Sequence, residues 1–290
     1  MRTKKTLLTP ELAQEYLSRN YEGNREIRPT VYLKYVDDIK NGRWFQNDDL
    51  LEYDPILFNK DGKMINGQHR CTAVEVAGKP IYVCVKENVS NEVYDYLDGG
   101  ERRRTSDFMN GLTDKKNLAA LAKAACAIEY GSLSLRSAVS GKLKYQGKYS
   151  VEPSRSMVLE KLETDADVLS ILLSKSRSVQ SKTKISRSQI AIALYIIFYT
   201  GRGSYIDRWV DDVSAPVPQS STNVLFREFM LRARSAGKRL DRVTNVSCVL
   251  YAYDHFLPGT ETKMFNKYEG TLAKYDKLIE KKRGANNEEF

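Results

Sequence analysis

Along this chain the spacing of hydrophobic positions switches between a helical and a strand period, and the switches mark out its elements. Thr9-Pro10-Glu11 reads as a helix start, because the Thr9 hydroxyl can cap free amides and the ring of Pro10 presets the first turn. That helix is expected to run to about Ser18. Residues 20–28 are polar, and after Pro29 the positions Tyr32, Tyr35, Val36 and Ile39 recur at helical spacing until Asn41-Gly42 stops them. From Asp54 the period shortens. Ile56-Leu57-Phe58, a turn at Asn59-Lys60-Asp61-Gly62, and Met64-Ile65 predict a hairpin. After Asn66-Gly67 a short helix is expected from about His69 until Gly78 ends it. Residues 81–85 are apolar throughout and predict a strand buried on both faces.

Residues 91–97 predict one more helix, broken at Asp98-Gly99-Gly100 and followed by the cluster Glu101-Arg102-Arg103-Arg104-Thr105. Beyond Leu112 the signals turn helical, at 116–130, 154–173, 186–199, 224–236 and 244–256. The expected organisation is therefore an α/β domain at 1–112, an all-helical domain at 113–281, and a polar tail at 282–290 that frays. The richest apolar run, residues 190–199, is about ten residues, half of what a bilayer requires, and reads as a buried helix. No membrane partner is expected.

Composition sharpens this picture in three ways. At 290 residues with 41% hydrophobic and 10% aromatic side chains, the chain can bury a core of one large domain or two ordinary ones. The four cysteines, Cys71, Cys84, Cys126 and Cys248, form no CxxC pair and read as reduced core thiols, while two histidines, His69 and His255, exclude a multi-histidine metal centre. With no apolar leader before the first helix, the expected location is cytoplasmic, that of the host if the chain is phage-encoded. Charge is unevenly spread. Residues 1–110 hold 17 of the 46 Lys+Arg and 18 of the 37 Asp+Glu, so the remaining 29 and 19 place an excess of +10 in the C-terminal part. Such a basic region suits a polyanion, most simply nucleic acid.

The sharpest local feature is Ile65-Asn66-Gly67-Gln68-His69-Arg70, a glycine turn between a strand and a helix. Helix N-terminal amides attract anions, glycine lets a phosphate approach the backbone, and arginine grips phosphate oxygens in a planar fork. The opposing reading is a structural turn whose His69 and Arg70 cap local carbonyls.

In its order of strand, turn, helix, glycine and strand, the span 62–85 resembles the ParB/sulfiredoxin-like fold, whose members carry a G-x-x-R phosphate turn. ParB proteins have GERR there, sulfiredoxins GCHR, and a group of phage proteins DGQHR; this chain reads NGQHR, with Gly67, Gln68, His69 and Arg70 in those places. It further resembles the phage group in a TPELA-like helix, an Asn24-Arg25 pair, a helix from Val31 to Trp44, and the segment from Asp98 to Thr105. The resemblance covers about residues 8–112. The literal GERR at residues 100–103 lacks the downstream strand, so position makes 67–70 the equivalent.

The resemblance implies a nucleoside triphosphate, ATP or CTP, with magnesium brought in by its phosphates. Gly67 and Asn66 would hold phosphates and Gln68, His69 and Arg70 would carry hydrolysis or phosphate transfer, making the chain an NTPase or phosphotransferase in a DNA-related process. Gln68 replaces the sulfiredoxin cysteine, so sulfinic acid repair is not expected, and the ParB E-N-x-x-R magnesium box is absent. Asn24, Arg25, Arg102 and Arg104 are further phosphate-facing candidates, and Glu26 a candidate base or magnesium ligand. Residues 174–188 carry five basic residues and no acid among serines, and read as a loop in which Lys175, Arg177, Lys182, Lys184 and Arg187 contact a nucleic acid backbone. Arg227, Arg232, Arg234, Lys238 and Arg239 form a second basic cluster. A homodimer is a further candidate assembly. Two alternatives stand beside the enzyme: a noncatalytic DNA-binding protein, and a nuclease, for which two acidic metal ligands are not at hand.

Overall fold

The structure is a computed structural model that describes residues 2–44, 51–52, 54–97, 114–131, 134–145, 149–257 and 259–287. The chain divides into two compact units, Met1–Arg104 with Lys148–Met157, and Thr105–Gly147 with Val158–Phe290. Both strands and helices are present, with helix predominating.

In the first unit the elements run β1 (Arg2–Leu8), α1 (Pro10–Ser18), α2 (Pro29–Lys40), β2 (Ile56–Asn59), β3 (Met64–Asn66), α3 (Gln68–Ala77), β4 (Ile81–Val89) and α4 (Val93–Tyr96). Thr9 caps α1 as its position requires, its Oγ1 accepting from Leu12 N at 3.3 Å. Gly78, at φ +66, ends α3 in the left-handed conformation that glycine adopts without a steric penalty. The sheet order is β1-β4-β2-β3. β4 pairs antiparallel with β1, Leu8 opposite Ile81, and parallel with β2, Ile56 opposite Val85; β2 and β3 form the expected antiparallel hairpin.

Strand alternation sends Ile56, Phe58 and Met64 to the principal core, with Leu8, Val36 and Val74, while Leu57, Ile65 and Val89 meet Val93, Tyr94 and Leu97 in a smaller cluster. α1 and α2 both pack against α3. Two expectations need correction. β4 is not buried on both faces: Tyr82 is 43% exposed, with the Lys5 ammonium 4.9 Å from its ring centroid. The basic N-terminus is not a mere lead-in to α1. It is the edge strand β1, whose first four residues are exposed, so no apolar alternation announces it.

The segment after the helical signals begin also returns to this unit. The strand Tyr149–Val151 packs on α2, and the hydroxyls of Ser154 and Ser156 donate to Asp38 Oδ1 at 2.6 and 2.7 Å.

The second unit is built on α5 (Lys115–Tyr130), α6 (Leu135–Val139), α7 (Arg155–Thr183), α8 (Arg187–Tyr199), α9 (Ile206–Ser214), α10 (Ser221–Ser235), α11 (Arg242–Asp254) and α12 (Thr271–Asn287). α8 is the buried helix anticipated from its apolar run: every residue from Ile190 to Ile197 is at most 1% exposed, with α5 and α11 packed on it. No helix among the described residues is long and apolar enough to cross a membrane. The supposed tail starts inside α12, where Lys282 donates to Tyr199 O at 2.6 Å and Arg283 Nε to Ile128 O at 3.0 Å. All four cysteines are buried and none forms a disulfide, and burial pushes the Cys71 thiol up to about 12.

Candidate functional site

Backbone pairing brings the polar loop after α1 to the start of α3. Met64 N donates to Arg19 O at 2.8 Å and Tyr21 N to Met64 O at 3.0 Å, an extra bridge on the far side of β3 that lays residues 20–28 along the hairpin. Asn24 fastens the loop by donating to Met64 O and to Asn20 Oδ1, both at 2.7 Å. Tyr94 closes the other side, its hydroxyl donating to Gly23 O and its ring meeting Tyr21 edge-on with centroids 5.1 Å apart.

Between these walls lies a cavity of about 380 Å³ at the amino end of α3. Asn24, Arg25, Asn66, Gly67, Gln68, His69 and Arg70 all line it, so the structure gathers these sequence-nominated residues in one place. The turn is tight. Gly67 sits at φ +115, and a Cβ there would come within 2.9 Å of Ile56 Cγ1.

The side chains of that turn are largely spent on the fold. Gln68 accepts from Asn20 Nδ2 at 3.0 Å and donates to Arg25 O at 2.6 Å. Arg70 directs its guanidinium at the main-chain carbonyls of Asp54 and Pro55, the latter at 3.0 Å, and pairs with Asp54 Oδ1 at 3.2 Å. His69 Nε2 accepts from the backbone N–H of Arg28 at 3.1 Å. All three side chains belong to residues that are 5–6% exposed. Asn66 donates to Pro55 O at 3.1 Å. Arg25 is exposed at the rim.

Other nominated residues fall elsewhere. Arg102 and Arg104, with Asp98 and the GERR string, lie outside the described residues. Glu26 is exposed and does not line the cavity. Among the described residues no three carboxylate, imidazole or thiol groups gather to hold a metal ion, and the Asp54 carboxylate beside the cavity is engaged by Arg70. These side chains do not make a magnesium site of their own. His255 caps the end of α11, with Nδ1 against Thr260 O.

The basic stretch at 174–188 is not a loop. α7 continues to Thr183, because Leu172, Leu173, Ser176, Val179 and Thr183 keep a buried face at helical spacing through the serine-rich sequence. Two of its nominated cations are neutralised within the unit: Lys175 pairs with Asp207, and Arg187 with Asp114. Lys182 is exposed, and Lys184 ends the helix at φ +60.

Residues that sequence reasoning passed over are Asn20, Asp54 and Tyr94. Only Asp54 carried a signal, as the residue that introduces the first hairpin strand before Pro55. Comparison of the chain with protein-family models, with curated proteins and with solved structures gives no match.

Proposed function

We propose that the unit Met1–Arg104, Lys148–Met157 is a ParB/sulfiredoxin-like domain that binds a nucleoside triphosphate, ATP or CTP, at the amino end of α3, in a DNA-related process. What carries the reading is the meeting, at one cavity, of the Gly67 turn, the helix terminus and the exposed Arg25. First-turn amides and a guanidinium both favour phosphate oxygens, and a Cβ-less residue lets them approach the main chain. The cavity volume falls in the roughly 300–1,000 Å³ range of small-ligand sites.

The geometry favours binding over turnover. Gln68 and Arg70 build the walls, and the Nε2 lone pair of His69 is occupied, so none of the three presents an idle group to a reacting phosphate. The test is thermal denaturation with ATP, CTP, GTP and UTP plus magnesium, on wild type and Arg25→Ala, with phosphate release followed in parallel. One nucleotide is expected to raise the midpoint, in line with about 2.7 kcal/mol at a hundredfold excess over Kd. Arg25→Ala should weaken that shift, and phosphate release should stay at background. Absence of a shift with all four would remove the nucleotide reading, and brisk release would restore the enzyme.

A further inference from the structure

Members of the two basic clusters, Lys184 and Arg234, fifty residues apart in sequence, meet in the second unit. Arg177, Gln180 and Ser181 follow one another at i, i+3 and i+4 on one face of α7, Lys184 stands one residue past its end, and Arg234 of α10 faces them across a surface concavity of about 420 Å³. An adjoining face of the same helix is buried through Leu172, Ser176 and Val179, so packing holds Arg177 and its neighbours toward the surface.

Neighbouring cations are neutralised internally, Lys175 by Asp207, Arg187 by Asp114 and Arg232 by Glu228. Among the described residues Arg177, Lys184 and Arg234 have no acidic partner, and no carboxylate lines the concavity. Lys184 donates one ammonium proton to Ser181 O at 2.7 Å, which leaves two. It also stands at a left-handed position that ordinarily selects glycine.

We propose that this concavity is a phosphate-backbone site for duplex DNA. Its lining consists of guanidinium, ammonium, amide and hydroxyl donors, the set that positions a sugar-phosphate backbone without reading bases. Among the described residues no aromatic ring lines it to offer the stacking platform that single strands use. The site is independent of any ligand at α3.

The test is fluorescence anisotropy of the full chain on a mixed-sequence DNA duplex, without nucleotide, over a series of salt concentrations. The groove variant is Arg177→Gln/Lys184→Gly/Arg234→Gln, with glycine chosen for the left-handed position. Its control, Lys142→Gln/Lys267→Gln/Lys277→Gln, removes the same charge from exposed positions of the same unit. Wild type should bind with a negative salt slope. The groove variant should bind about tenfold more weakly, with a slope shallower by roughly 0.9 for each phosphate it no longer neutralises. The control should stay close to wild type. Circular dichroism checks folding, and Arg177→Gln alone supplies the same reading with a slope change of roughly 0.9 should the triple variant misfold. Equal losses in both triple variants would overturn the proposal, as would a preference for anionic vesicles, polyglutamate or single strands over the duplex.

Discussion

Arg28, the residue before α2, donates its backbone N–H to Nε2 of His69 in the first turn of α3 across 3.1 Å. A neutral imidazole has one donor and one acceptor nitrogen, so this bond places the ring proton on Nδ1. Arg28 has no side-chain cap at the start of α2, and His69 fixes that start against α3. His69→Ala should therefore cost about 1–3 kcal/mol by leaving a donor unsatisfied, and His69→Gln, whose amide oxygen can accept, should recover part of it. Urea denaturation with unchanged slope measures both. Unchanged stability in the alanine variant would show that the bond does not hold the two helices.

Gly67 and Ile56 constrain each other. A methyl at Gly67 meets Ile56 Cγ1 at 2.9 Å, and φ +115 is a conformation that an L-residue resists. Gly67→Ala should destabilise by about 1–3 kcal/mol and abolish nucleotide stabilisation. In an Ile56→Ala background the contacts with Cγ1 and Cγ2 disappear, while the one with Cβ at 3.3 Å and the backbone strain stay. The same substitution should then cost measurably less in a double-mutant cycle. Strict additivity would place the whole penalty in the backbone.

These two contacts show how far the sequence can be read. The hairpin, α3 and its glycine ends, the cap at Thr9 and the buried α8 were all legible, because each is set by local turn chemistry or by a period within one element. Clustering of Asn24 and Arg25 with residues 66–70 was expected from the family resemblance, and in the structure it comes from the Asn20–Met64 bridge, a long-range pairing that no local pattern encodes. β1 was missed because its partner β4 lies some eighty residues on and supplies the order that Arg2–Leu8 lacks alone. The helical end of α7 was misread for a related reason. Serines and lysines between 174 and 184 resemble a solvated loop until Val179 and Thr183 are seen to be buried.

Arg70 and Asp54 should behave unequally. The guanidinium reaches two carbonyls and one carboxylate oxygen at once, a fork that an ammonium cannot reproduce. Arg70→Lys is thus expected to cost about 1–3 kcal/mol, while Asp54→Asn, at a side chain 55% exposed, should change stability by about 1 kcal/mol or less. Chemical denaturation of both variants decides the matter. If Arg70→Lys is as stable as wild type yet loses nucleotide binding, the guanidinium acts on the ligand and not on the carbonyls.

Asp38 provides a pH test of the first unit. Burial raises its carboxyl above the usual 3.8, and the hydrogen bonds from Ser154, Ser156 and Arg43 oppose that rise without cancelling it. Because the folded value lies above the unfolded one, the folded state binds the proton more tightly between the two. The stability this contributes is complete below 3.8 and is lost as the pH rises through the folded value. Asp38→Asn keeps an oxygen to accept from Ser154 and Ser156, removes the buried charge, and gives up the ion pair with Arg43 at 3.2 Å. The stability of Asp38→Asn relative to wild type should accordingly increase as the pH is raised from below 3.8 toward neutrality, and then level off. Urea midpoints of the two proteins across that range supply the measurement. A relative stability that instead falls with pH would mean that Arg43 outweighs burial, and that the carboxylate is the form the fold prefers.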